Sequence, residues 1–331
     1  MTVRFSRDVL ALDAVAATTA IERAIVTLTG RVLRHRGVVV GVSGGVDSAV
    51  CLSLALRALG PDRVVALLMP ERETDDDATS RGALLCQELG VPFVVEAIGP
   101  ALEALGCYER RDTAIREVFP SYGPGYRQKV TIAASLLDSD RVNFFNLTVE
   151  SPSGERATRR MGASAYSCVV AATNMKQRTR KMIEYFHAES RNYAVLGTPN
   201  RLEYELGFFV RGGDGLADLK PIAHLFKTQV YGLAAHLDLP GAIREQPPTT
   251  DTYTLPQTQE EFYFALPYAD MDLVLWAWEH DVPPGEVATV MGLEARQVER
   301  VYRDIELKRR AAARGLAEAL LVEPVGLPDH G

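Results

Sequence analysis

The sequence lacks the features that define several large protein classes. No apolar run in its 331 residues reaches the roughly 18 residues that a membrane-spanning helix needs. Residues 1–8 contain no long apolar segment, so no secretory signal is expected. A membrane protein or a secreted protein is therefore not expected, and the cytoplasm is the expected location.

Cysteine is scarce, and the cysteines present form no pattern. Four are present, and they include no CxxC pair and no spacing to histidine that is typical of a zinc site: Cys51, Cys86, Cys107 and Cys168. We expect reduced thiols, some of them in the core of a cytosolic protein. The six histidines likewise show no metal-binding or catalytic spacing.

An excess of positive charge is also absent. The 36 Lys and Arg residues are outnumbered by 43 Asp and Glu residues, which gives a net charge of −7. Binding to nucleic acid without sequence preference depends on neutralising phosphates, so no nucleic-acid partner is expected. An anionic ligand would have to meet local positive groups. A hydrophobic content of 47% and a charged content of 24% are typical of a globular protein.

Short apolar runs alternate with helical patterns along the chain. Runs at 38–42, 64–69, 91–95 and 193–197 predict buried strands, and residues 13–35 predict an amphipathic helix. This alternation predicts an α/β fold, a doubly wound parallel sheet with helices on both faces. We expect an α/β domain over 1–265, a small C-terminal helical appendage over 266–322, and a tail over 323–331.

Two segments have more than one interpretation. Residues 143–172 are expected to form a long loop or an inserted hairpin. Residues 286–309 resemble a helix–turn–helix, which would make DNA binding the competing, non-enzymatic function. Acidic residues alternate with arginines there, at Glu294, Glu299, Asp304 and Glu306, so a helical appendage is favoured.

The strongest chemical signal lies between the first predicted strand and the next helix, in Gly41-Val-Ser-Gly-Gly-Val-Asp-Ser48. Glycines there let successive backbone N–H groups converge at a helix N-terminus, which binds anions without net positive charge. Asp47 would repel a bare phosphate, so its presence indicates a bridging Mg²⁺. The loop is not a Walker A motif, because GxxxxGK[ST] is absent. Its predicted ATP-binding residues are Gly41, Val42, Ser43, Gly44, Gly45, Val46, Asp47 and Ser48.

Further motifs follow at Gly197-Thr-Pro-Asn-Arg-Leu-Glu203, Gly207-Phe-Phe-Val-Arg211, Gly213-Asp-Gly-Leu-Ala-Asp218 and Leu225-Phe-Lys227. Upstream lies Asn174-Met-Lys-Gln-Arg178-Thr-Arg180, and downstream lies Pro248-Thr-Thr-Asp251. With the glycine-rich loop, this series resembles the N-type ATP pyrophosphatases, and among them the ammonia-dependent NAD synthetase family, over roughly residues 15–310. The resemblance implies an adenine nucleotide alpha-hydrolase-like fold.

The resemblance also implies roles for single residues. Asp47 and Glu203 would bind Mg²⁺. Three further residues would contact ATP: Thr198, Lys227 and Thr249. Four would hold the deamido-NAD substrate: Arg178, Arg211, Asp218 and Lys308. Asp214 would be the catalytic acid that handles ammonia.

The implied reaction is the ATP-dependent amidation of deamido-NAD to NAD with ammonia, through an acyl-adenylate, with release of AMP and pyrophosphate. The resemblance implies a homodimer as well. Because the motifs begin near residue 15, no fused glutaminase is expected, and ammonia would be free or supplied by a separate glutaminase. Mobile lids are expected at 143–172 and 205–220, since the adenylate must be protected from water.

Departures from the family pattern fall mainly on the acceptor side. Leu307 stands where the family has His before Lys308, and Leu68 stands where many bacterial members have Arg. These departures motivate an alternative acceptor for the same chemistry, such as nicotinate mononucleotide or a specialised metabolite. A non-catalytic ATP-binding relative is the third hypothesis, which the presence of both Asp47 and Glu203 disfavours.

Overall fold

Short runs rich in valine form a central parallel sheet. The computed structural model of the chain describes residues 4–74, 76–132, 145–246, 253–257, 263–264, 266–323 and 325. Strands β1 (Val38–Gly41), β2 (Val64–Leu68) and β3 (Phe93–Val95) lie parallel to one another. A later strand, β7 (Ala194–Leu196), pairs with the free side of β1, in the order β3-β2-β1-β7. All four predicted strands are confirmed.

Helices cover both faces of this sheet, as predicted. Val38 and Val40 point into a core shared with α1 (Ala14–Thr27), α2 (Val46–Leu59) and α3 (Asp76–Glu88). The intervening Val39 points into the opposite core, which α4 (Gly99–Ala104), α5 (Cys107–Val118) and α6 (Ala163–Glu189) cover. A π-helical turn, Leu28–Val32, continues α1 and completes most of the predicted helix at 13–35.

The strand order reverses direction beside β1. The chain moves from β1 outward to β2 and β3, and then returns to add β7 on the other side. Ligands of open α/β sheets bind outside the carboxyl ends of the strands at such a reversal. The segment after β7 forms α7 (Arg201–Leu206), α8 (Lys227–His236) and α9 (Gly241–Arg244). The carboxyl ends of β1 and β7 therefore define where a ligand is expected.

A second sheet overlaps residues 143–172, the region predicted as a long loop or an inserted hairpin, and its first strand precedes that region. Strands β4 (Arg127–Ile132), β5 (Phe145–Glu150) and β6 (Arg156–Arg160) pair antiparallel, and β5 and β6 form a hairpin. The serine- and alanine-rich residues from 163 onward are not loop but the first turns of α6, and residues 143 and 144 lie outside the described part of the chain. The sheet packs on α5 and α6 through Val130, Leu147 and Val149.

Three C-terminal helices form the predicted helical appendage. They are α10 (Tyr268–Glu279), α11 (Pro284–Met291) and α12 (Ala295–Leu316), and they share a core with the N-terminal residues Phe5 and Leu10. Arg309 of α12 forms ion pairs with Glu205 of α7 and Glu279 of α10. Arg309, in the segment that resembles a helix–turn–helix, thus pairs with carboxylates of this chain.

All four cysteines are free thiols, and three of them, Cys51, Cys86 and Cys107, are buried. Within the described ranges, no helix is both long enough and apolar enough to cross a membrane.

A buried ion network fixes the segment that follows β2. Lys176 of α6 donates to Glu71 at 2.8 Å and to Glu73 at 2.7 Å, and Arg111 of α5 donates to Glu73 at 2.5 Å. Burial alone would raise the pKa of Glu73, but the hydrogen bond from Arg111 and the charge of Lys176 outweigh it and lower the pKa to about 2. The network therefore stabilises the fold only while Glu73 is ionised.

Replacing Glu73 tests this network through pH. At pH 7, Glu73→Gln is expected to lower the free energy of unfolding by about 3 kcal/mol, because it leaves buried cations underpaired. Since the pKa falls from 4.5 to about 2 on folding, the difference from wild type should shrink as the pH falls from 4.5 towards 2. Urea unfolding of both proteins across this pH range measures the difference in stability. The exposed Glu103→Gln should change stability by less than about 0.5 kcal/mol. A difference that is constant with pH would contradict the account.

Candidate active site

The glycine-rich loop joins the end of β1 to the start of α2. Gly44 has a φ of +83°, and a Cβ atom there would lie 2.5 Å from the carbonyl oxygen of Ala78. Conformation and space therefore both require glycine. Gly45, the residue before α2, gives the helix no side-chain cap. An anion at this N-terminus can bind the first-turn N–H groups.

Two serine hydroxyls are held inside the loop. Ser48 Oγ donates to the carbonyl of Gly45 at 2.9 Å and accepts from the Ser43 N–H at 3.3 Å. The Ser43 hydroxyl lies 3.3 Å from Ser48 Oγ and accepts from the Gly45 N–H at the same distance. Because these bonds fix the loop before a ligand arrives, little reorganisation is needed on binding.

Asp47, in the first turn of α2, forms an ion pair with Lys227, the first residue of α8. The Lys227 side chain is only 3% exposed. Burial on its own lowers the pKa of Lys227, but the carboxylates of Asp47 and Glu203 outweigh it and raise the pKa above its ordinary value. Lys227 therefore stays protonated beside the glycine-rich loop.

Glu203, in the first turn of α7 after β7, lies near Asp47 and Lys227. Asn200 and Glu203 form a capping box at the start of α7, in which each side chain accepts from the other's backbone N–H at 3.2 Å. The Asn200 amide also donates to Asp47 at 3.2 Å. Both carboxylates raise the pKa of the buried Cys51 thiol, although burial itself has the larger effect. The fold thus brings the two predicted metal ligands together, with Asn200 between them.

The donor set fits a magnesium ion that arrives with a nucleotide. Among the residues described, no cluster of three or more His, Cys, Asp or Glu side chains could hold a metal alone. Mg²⁺ is commonly bound by one or two carboxylates, with phosphate oxygens and water completing its shell. Asp47 and Glu203, next to the glycine-rich loop, have the chemistry for such a shared site.

The predicted acceptor residues lie farther along α6 and in the segment after α7. Arg178 Nε donates to the carbonyl of Arg211 at 3.1 Å, so these two arginines are neighbours on an exposed surface. Asp214 accepts from the Val210 N–H at 2.7 Å. Asp218 accepts from the Val195 N–H at 2.7 Å and from the Tyr185 hydroxyl at 3.2 Å, so both of its oxygens are used at the edge of the sheet.

Among the residues described, no hydrogen bond or ion pair joins Lys308 or Thr198 to this cluster. Lys308 donates to the carbonyl of Tyr263 and to Asp304, each at 2.6 Å. Its burial lowers the pKa, which the charge of Asp304 opposes. Thr198 is half-buried between β7 and α7, and Thr249 lies outside the described residues.

Two residues of the site had no role in the sequence-based prediction. Asn200 stands inside the quoted GTPN motif, but only the fold shows that it links Asp47 to Glu203. Asp272 of α10 is fully buried and accepts from the N–H groups of Lys227 and Thr228, at 3.3 and 2.7 Å. Asp272 therefore caps the N-terminus of α8. Phe226, the residue before the helix, cannot do so because its side chain has no oxygen. In the sequence, the signal for a special role of Asp272 is an acidic residue inside the apolar run at residues 271–277.

The fold and site define a nucleotide-binding α/β protein with its phosphate loop at a topological switch point. The chain belongs to the NAD synthase family, which it matches over residues 21–118 and 127–312. It is 51% identical to the NH(3)-dependent NAD(+) synthetase of Rhizobium meliloti strain 1021, over 97% of this chain and 96% of the relative.

Two solved structures share the fold. An NMN synthetase from Francisella tularensis has a TM-score of 0.62 at 22% identity, over 94% of this chain and 98% of the other. The NH3-dependent NAD synthetase from Campylobacter jejuni, in complex with nitrate, has a TM-score of 0.61 at 20% identity, over 94% of this chain and all of the other.

Neighbouring glycines in the loop give a matched pair of variants. Gly44→Ala is expected to lower the free energy of unfolding by about 2 kcal/mol or more, because of its positive φ and the close carbonyl of Ala78. Gly45→Ala, with a φ of −91°, should change it by no more than about 0.5 kcal/mol. Urea unfolding measures both, and calorimetry should show that Gly44→Ala also weakens ATP binding. Equal stability of the two variants would contradict the loop's described geometry.

Proposed function

We propose that the chain catalyses the ATP-dependent amidation of deamido-NAD to NAD with ammonia, releasing AMP and pyrophosphate. The observation that carries this proposal is the meeting of Asp47, Asn200, Glu203 and Lys227 beside the glycine-rich loop. These groups suit the phosphates of a magnesium nucleotide. The activity for which the Rhizobium meliloti relative is named supports the choice of reaction.

The chemistry must turn a carboxylate into an electrophile. In the proposed first step, a carboxylate oxygen of the acceptor attacks the α-phosphorus of ATP, and the bond from that phosphorus to the bridging oxygen of the β-phosphate breaks. The products are an acyl-adenylate and pyrophosphate. Ammonia then attacks the acyl carbon, the carbon–oxygen bond breaks, AMP leaves, and the new amide nitrogen loses a proton.

Negative charge accumulates on the departing pyrophosphate, and the loop over residues 41–48 is suited to stabilise it. Backbone N–H groups at the start of α2 and the hydroxyl of Ser43 would donate hydrogen bonds, and Ser48 would hold Ser43 and Gly45 in place, while Lys227 supplies a fixed positive charge. Asp47 and Glu203 would hold Mg²⁺, which when bound supplies further neutralisation of phosphate charge. Thr198 and Thr249 are proposed to contact ATP.

The acceptor would bind on the α6 side of the site. Arg178 and Arg211, which lie next to each other, are suited to the phosphates of deamido-NAD. Asp218 and Lys308 are proposed to complete this site. Asp214 would take the proton that the attacking ammonia must lose.

An acceptor other than deamido-NAD is the second candidate. The specific observation in its favour is the position of Lys308, whose ammonium is held by Tyr263 and Asp304. Beside it, Leu307 is 64% exposed and offers no polar group. The same activation chemistry could then serve nicotinate mononucleotide or a specialised carboxylate.

The proposed assembly is a homodimer. Ammonia would be free or delivered by a separate glutaminase, and the expected location is the cytoplasm. These points stay predictions.

Product analysis tests the reaction directly. Wild-type protein with deamido-NAD, ATP, Mg²⁺ and ammonium is expected to form NAD, AMP and pyrophosphate in equal amounts. Asp47→Asn and Glu203→Gln should each lower the rate by about 100-fold or more and raise the Mg²⁺ concentration needed for half-maximal rate. The exposed Asp62→Asn is the matched control and should match wild type. ADP as a product would contradict the pyrophosphatase chemistry. Turnover with another carboxylate but not with deamido-NAD would favour the second candidate.

A further inference from the structure

Lysine is rare in this chain, and one lysine differs from the others. The sequence has six lysines, and none of them is exposed. Five donate hydrogen bonds to a carboxylate or a carbonyl: Lys129, Lys176, Lys181, Lys227 and Lys308. For the half-buried Lys220, by contrast, the described residues provide no hydrogen bond and no carboxylate within 4 Å. Its ammonium lies over an aromatic ring instead.

Lys220 stands at the switch point of the sheet. Leu219, the residue before it, bridges to Leu196 of β7, and the Gly197 N–H donates to the Leu219 carbonyl at 2.8 Å. A Cβ atom on Gly197 would lie 3.1 Å from Lys220 Cγ, so the absence of a side chain there gives the lysine stem its space. The ammonium lies 5.1 Å from the ring centre of Tyr204, which follows Glu203.

The charges around Lys220 leave its ammonium undercompensated. Burial lowers the pKa of Lys220, the charge of Lys181 lowers it further, and Asp214 opposes both. Lys181 is itself paired with Glu184 at 2.5 Å. Glu184 lies against the first residue of the phosphate loop, since a Cβ atom on Gly41 would be 2.9 Å from its carboxylate oxygen. A half-buried cation without a partner anion costs free energy, which a bound anion would recover.

We propose that Lys220 is a further catalytic residue, whose ammonium binds an oxyanion at the reacting centre. The oxyanion belongs either to the α-phosphoryl group of ATP or to the acceptor carboxylate that attacks it. This inference rests on the proposed function, because that reaction supplies both anions. The α-phosphoryl group and the acceptor carboxylate are both negative and must approach each other, while Lys227 is already paired with Asp47. A second cation at the end of β7 would offset their repulsion as the new bond forms.

The variant Lys220→Met isolates the charge, because methionine keeps an unbranched stem over Gly197. The rate of pyrophosphate release at saturating reactants is expected to fall by about 100- to 1,000-fold, the usual effect of removing one preorganised donor. Lys220→Arg should restore part of the rate. If the oxyanion is the α-phosphate, the KM of the acceptor stays near its wild-type value; if it is the acceptor carboxylate, that KM rises by about 10-fold or more.

Stability separates a catalytic role from a structural one. Without ligands, the thermal midpoint of Lys220→Met is expected to equal or exceed that of wild type, since an unpaired half-buried charge has been removed. Lys129→Met, a half-buried lysine of β4, is the matched control and should keep both rate and KM within about 2-fold of wild type. A Lys220→Met rate within about 2-fold of wild type, or a lost rate together with a lowered midpoint, would overturn the proposal.

The outcome can be told apart from failure of the proposed function. The variants are assayed with whichever carboxylate makes wild-type protein release pyrophosphate. If only a carboxylate other than deamido-NAD does so, the proposed acceptor is wrong, and the role of Lys220 is still decided by the comparison. If no carboxylate does so, the reaction and the role of Lys220 are both contradicted.

Discussion

The buried ion pair between Asp47 and Lys227 joins the glycine-rich loop to α8, and contacts from two further segments meet at the same two residues. Asn200 donates to Asp47 and so connects the same carboxylate to α7 and Glu203. From the C-terminal helices, Asp272 accepts from the N–H groups of Lys227 and Thr228 and holds the start of α8 in place. Removing one partner of such a pair leaves an uncompensated buried charge, which costs about 3–5 kcal/mol. A few bonds therefore tie four separate segments to one point.

This arrangement divides the cations of the site into two kinds. Lys227 and Lys176 are neutralised by carboxylates of the protein and give the site a fixed shape before any ligand binds. Within the described part of the chain, Lys220 has no such carboxylate, and the hydrogen bonds of Arg178 and Arg211 go to backbone carbonyls. In a chain of net charge −7, anionic reactants must be attracted by local groups, and these less compensated cations are suited to that.

The sequence was sufficient to predict the central sheet and the glycine-rich turn after β1, because both depend on local patterns. Buried valine runs and a glycine-rich turn are visible without knowledge of the fold. Two strands of the antiparallel sheet lie in the region predicted as a loop or hairpin, and its first strand, Arg127–Ile132, was not predicted. The last strand, Arg156–Arg160, is exposed throughout and has no apolar periodicity. Asn200 and Asp272 could not be given roles, because their partners lie far away in sequence. The two hydrogen bonds of Asp218 depend likewise on tertiary structure.

The central claim is that this switch point activates a carboxylate by joining it to the α-phosphate of ATP. Its most direct test uses an acceptor whose carboxylate carries a heavy isotope of oxygen, followed by mass spectrometry of the nucleotide and phosphate products. One labelled oxygen is expected in the phosphoryl group of AMP, because that oxygen stays with phosphorus when ammonia displaces AMP. Label in pyrophosphate or inorganic phosphate, or AMP that carries none, would contradict the account.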